Sequence, residues 1–75
     1  MSEFWDPEVP KRRPDAESVH DRHLIQAWCR RSEIQVVVRR DATKESAAIR
    51  ELDYPKQLSA EEAVAVAATE WRSFK

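Results

Sequence analysis

The chain has 75 residues, a net charge of -1 from 13 basic and 14 acidic side chains, and no glycine. Glycine alone takes φ > 0 without a steric penalty, so a P-loop, a dinucleotide-binding fingerprint, an EF-hand loop or a glycine-rich kinase loop cannot be written into this sequence. The near-neutral charge argues against nonspecific binding of nucleic acid by the whole surface. A chain this short is close to the size at which a core only just suffices, so a partner or a dimer is expected.

With 41% hydrophobic and 36% charged residues the composition is globular rather than disordered. The charges are unevenly placed: residues 1–10 carry three acids and no base, residues 11–40 eight bases against four acids, and residues 41–75 five bases against seven acids. Cys29 is the single cysteine, which rules out an intramolecular disulfide and makes the cytosol the default compartment. The longest apolar run, Ala63 to Ala68, is six residues against the ~20 needed to span a bilayer, so no membrane association is expected.

Three of the four prolines (Pro7, Pro10, Pro14) fall in residues 1–14, which read as an extended Pro-rich tail ahead of a single domain over 15–75. Asp15 is a candidate cap for a first helix at about 16–31, where Val19, His23, Leu24, Ala27, Trp28 and Arg31 recur at helical spacing. Ile34, Val36 and Val38 alternate with Gln35, Val37 and Arg39 and predict a strand at about 33–39. Residues 42–52 are ambiguous. Ala47 to Leu52 favour helix by propensity, whereas a lone strand upstream calls for a second one, and a tight hairpin there would lack glycine or asparagine. Helix is preferred over hairpin.

Tyr54 and Pro55 end that element. Ser59 and Glu62 then form a capping box for a C-terminal helix at about 60–74, with Leu58 placed to staple onto Ala63. Glu61 and Glu62 at the helix start and Arg72 and Lys75 at its end complement the macrodipole. Val64, Ala67, Trp71 and Phe74 make a narrow seam expected to face a neighbouring helix. The fold class expected is α+β: a small single domain, mainly helical, with a short β element.

Little in the sequence points to catalysis. On a helix His20 and His23 would lie within about 60° of each other, a spacing suited to metal ligation. A site needs a third ligand, and Cys29 would be rotated roughly 120° and 180° away from the two histidines. The expectation is therefore one histidine at the edge of the packed face, one in solvent, a buried inert Cys29, and no metal, cofactor or catalytic residue.

Phe4 and Trp5 stand out, because large aromatics are unusual in a free tail and are the residue types that anchor interfaces. They either reach a partner protein or fold back to cover this domain's own small core. If residues 41–53 are helical, the order strand, helix, helix over 33–75 resembles the ribbon-helix-helix family of DNA-binding dimers. That resemblance implies that two chains pair their strands and lay the ribbon in the major groove, with Gln35, Val37 and Arg39 facing the bases. A structural strand in a small α+β core explains the same pattern without DNA. The reading preferred on sequence is a non-enzymatic intracellular interaction or regulatory protein that binds another protein through its surface and through Phe4 and Trp5. A homodimer is a further candidate assembly, and DNA the alternative partner.

Overall fold

The computed structural model describes residues 10, 12–43 and 46–71. Four strands, β1 (Ala16–His20), β2 (His23–Cys29), β3 (Glu33–Arg39) and β4 (Ala48–Pro55), precede one helix, α1 (Ala60–Glu70). The strands pair in chain order as an antiparallel meander, β1-β2-β3-β4, and α1 lies on one face of the sheet.

This architecture corrects the expected mainly helical fold. The segment read as a first helix at about 16–31 is the β1–β2 hairpin, and the ambiguous 42–52 segment leads into β4. Leu24 to Trp28 are buried without interruption, because β2 is covered on both faces. A strand with two buried faces loses the polar alternation that marks a half-buried one, and the accidental helical spacing of Leu24, Ala27 and Trp28 then dominates the pattern.

The hairpin turn is closed by Asp21 and Arg22 at φ 52° and 72°. Two consecutive positive φ values are what a two-residue hairpin loop requires, because that backbone matches the right-handed twist of the flanking strands. Aspartate visits this region with modest strain, but arginine has no local means of offsetting it. The absence of glycine therefore does not prevent a tight turn; it makes the turn costly.

The helix-side core is built from Ile25 and Ala27 of β2, Ile34, Val36 and Val38 of β3, and Ala60, Ala63, Val64 and Ala67 of α1. Three alanines on the inner stripe of α1 let its backbone approach the β-branched surface of β3. The seam expected to meet another helix thus meets the sheet, with Trp71 packed at its edge and Phe74 outside the described residues. Ser59 and Glu62 close the capping box reciprocally, at 3.0 Å from Glu62 N to Ser59 Oγ and 2.9 Å from Ser59 N to Glu62 Oε1. Leu58 joins the same cluster as Ala63.

The two edges of the sheet differ. On β4 the register slips between Val38↔Arg50 and Arg39↔Ala48, so Ile49 is bulged out, and Pro55 ends the strand. A bulge and a proline both disrupt the ladder that a further strand would use. On β1 the five residues are regular, with neither device.

Replacing Arg22 by glycine relieves a left-handed arginine and is expected to raise stability by about 1 kcal/mol, measured as a higher urea midpoint with an unchanged slope. Ser59→Ala removes the helix cap and is expected to cost about 1 kcal/mol on the same assay.

Candidate functional site

β1 lies at the edge of the sheet and beside α1, and the two leave a groove between them. Ala16, Ser18 and His20 of the strand and Glu61, Val64 and Ala65 of the helix line it, with a volume of about 170 Å³. Its floor is apolar; among the described residues that line it Glu61 brings a carboxylate and none is a lysine or arginine, while Glu17 borders it but turns its carboxylate to Gln26 on the opposite face of the sheet. Glu61 is there because the first turn of a helix favours acids.

The sheet face opposite α1 carries a polar relay instead. Gln26 Nε2 donates to Glu17 Oε1 at 3.1 Å, and Arg39 Nε donates to Gln26 Oε1 at 2.8 Å. A parallel chain runs from Arg30 Nη1 to Gln35 Oε1 at 2.9 Å, and from Gln35 Nε2 to Glu51 Oε2 at 2.6 Å. Among the described residues every buried side-chain nitrogen and oxygen has a partner, as burial of two glutamines demands.

These bonds bear directly on the DNA reading. Gln35, Val37 and Arg39 do share one face of β3, but Gln35 and Val37 are fully buried and the guanidinium of Arg39 is held by Gln26 and the Ser46 carbonyl. The amide of Gln35, which would have to read a base edge, is already used at both ends. In addition β3 is paired on both sides within the chain, and the helix required at 41–53 is absent. The strand the resemblance needs, β3, is not free to pair with a second chain, so that resemblance falls with the helix on which it depended.

His20 and His23 are cross-strand partners flanking the hairpin turn, not helical neighbours. His23 meets the indole of Trp71 edge-on, with ring centroids 4.8 Å apart, and its Nδ1 is 3.2 Å from the Arg39 carbonyl. No group of three or more His, Cys, Asp or Glu that could hold a metal exists among the described residues. Cys29, expected to be buried, is exposed at the end of β2. Its backbone N donates to Asp15 Oδ2 at 2.7 Å, and its carbonyl accepts from Arg12 Nη2 at 2.7 Å. The Cys29 amide holds the Asp15 carboxyl below its usual pKa, aided by Arg12. Asp15 was expected to cap a helix; it instead ties the chain entering β1 to the end of β2. Phe4 and Trp5 lie outside the described residues.

Sequence reasoning also missed a carboxylate pair, because its members are twenty residues apart and only the β3–β4 register brings them together. A hydrogen bond to the Asp53 carboxyl and the repulsion of its charge raise the Glu33 pKa above the ordinary glutamate value. At the other end of the helix-side face, burial and then the charge of Glu70 push Tyr54 up to about 12. Among the described residues no helix is long and apolar enough to cross a membrane.

The Glu33 shift has a definite sign in stability. Its folded pKa exceeds the unfolded value, so the contribution is favourable below the unfolded pKa of 4.5 and lost as pH rises through the folded pKa. Asp53→Asn removes the neighbouring charge, and a carboxyl-detected NMR titration is expected to show the Glu33 midpoint moving down toward 4.5. The variant should gain stability relative to the parent at neutral pH more than at pH below that midpoint.

Comparison with protein-family models, with curated proteins and with solved structures finds no match for this chain, so the site is read from its geometry alone.

Proposed function

We propose that this chain is a non-enzymatic interaction protein that takes an extended segment of a partner protein onto the edge of β1 that no described strand pairs with, beside α1. The observation that carries this reading is the contrast between the two sheet edges. β4 is blunted by its bulge and by Pro55, whereas β1 is a regular strand whose outer edge runs alongside an apolar groove. An added strand gains main-chain hydrogen bonds from such an edge, and alternate side chains drop into the adjacent groove to supply specificity.

The groove sets the chemistry of the segment. Val64, Ala16 and Ala65 favour a small or medium aliphatic side chain, and Glu61 favours a flanking lysine or arginine. Its volume is below the ~300–1,000 Å³ of typical small-molecule sites, which supports a peptide rather than a substrate or cofactor. The cytosol is the compartment this reading fits, given the single cysteine.

The test is selection from a random-peptide display library, followed by chemical-shift mapping of the winners on labelled protein. Enriched sequences are expected to alternate aliphatic and basic residues and to shift Ala16 to His20 together with Glu61 to Ala65. Ala65→Arg fills the groove from an exposed helix position that also favours helix, and is expected to weaken those peptides at least tenfold, about 1.4 kcal/mol, with unchanged thermal stability. Peptides that map to β4, or that bind the variant equally well, would sink the proposal.

A further inference from the structure

The groove beside β1 has a direction. β4 ends at Pro55 on the side of the sheet where β1 begins, and α1 starts from there; its far end reaches the opposite side, where Trp71 meets His23, the cross-strand partner of His20. Glu61, in the first turn of α1, therefore stands toward the Ala16 end of β1. Its carboxylate has no hydrogen-bond or ion-pair partner among the described residues.

The backbone of β1 has a parity as well. In a hairpin closed by a two-residue loop the flanking pair, here His20 and His23, exchanges its hydrogen bonds directly. The alternate residue, Val19, thus turns its N–H and C=O toward the outer edge, which no described strand pairs with. Its side chain is 53% exposed, more than the other exposed large hydrophobic, Ile49.

We propose that the extended segment received by this edge is β1 of a second copy of the chain, laid antiparallel across a two-fold axis. This rests on the reading of the β1 edge given above and names its occupant. A strand suits its own copy only where the reversed sequence fits, and here it does. On the groove side β1 offers Ala16, Ser18 and His20. Reversal keeps the small Ser18 near the axis and brings His20 of the second copy to the Ala16 end, where its imidazole N–H can donate to Glu61. Symmetry repeats that contact, so each copy completes the groove of the other. The pairing covers Val19 and adds burial that a 75-residue domain is short of. It also stops at two chains, because the other edge of each sheet is blunted by the β4 bulge and Pro55.

The test is sedimentation equilibrium on the full chain over a wide concentration range, with amide hydrogen exchange on the same samples. A reversible monomer–dimer equilibrium is expected; the Val19 amide should gain protection as the dimer fills, whereas the His20 amide is protected throughout. Isotope-filtered NMR on mixed labelled and unlabelled chains should show contacts between the two β1 strands. His20→Glu sets a carboxylate against Glu61 of the other copy and is expected to weaken the dimer roughly tenfold. Mixing that variant with Glu61→Lys should restore pairing between the two. A dimer whose contacts map elsewhere than β1, or one indifferent to His20→Glu, would overturn the inference. So would a monomer at every concentration, and peptide selection then separates the two failures: peptides that still map to β1 leave the edge reading standing, whereas their absence removes both. Exchange and filtered NMR on the unaltered chain decide the matter even where a variant folds poorly.

Discussion

The burial of β2 and β3 on both faces is the constraint on which the rest of the molecule depends. In a four-stranded meander the two inner strands have a strand partner on each side, so their side chains decide which surfaces must be covered. On the helix side Ile34, Val36 and Val38 present a β-branched floor, and Ala63 and Ala67 let α1 come down close upon it. Small residues on the helix and branched residues on the sheet are complementary in shape, which close packing of a small core requires.

The opposite face uses different physics. Gln26 and Gln35 are buried there, and each would cost heavily without a partner, so the strands are tied by Glu17–Gln26–Arg39 and Arg30–Gln35–Glu51 bonds running across the ladder. Such a relay specifies register: a one-residue slip of β3 would turn Gln35 and Arg39 toward the helix and leave every one of these groups unpaired. The carboxylate repulsion between Glu33 and Asp53 is a local cost that accompanies this register.

Two segments were legible in the residues, whereas the β1–β2 hairpin and β4 were not. α1 carries its own start signal, Ser59 with Glu62, and β3 carries a β-branched alternation, so both were placed closely by local pattern. The face shared by Gln35, Val37 and Arg39 was also readable from that alternation, although their lack of availability was not. The β1–β2 hairpin was read as helix for a physical reason: its turn is made by Asp21 and Arg22 in place of glycine or asparagine, and β2 is buried on two sides. Neither of its usual signals is present. The groove beside β1 was invisible because Ala16, Ser18 and His20 meet Glu61, Val64 and Ala65 only after the whole sheet has formed.

The sequence by itself determined what is local: a capped C-terminal helix, a β-branched central strand, the exclusion of glycine-dependent phosphate cradles, and an aromatic acidic start to the chain. Tertiary structure decided what depends on pairing at a distance. The strand character of 16–29, the β4 edge with its bulge, the exposure of Cys29 and the Glu33–Asp53 contact all follow from cross-strand register. Glycine's absence shows the division well. It limits chemistry that needs an unstrained backbone nest, but it does not forbid a positive-φ turn once two paired strands hold Asp21 and Arg22 in place.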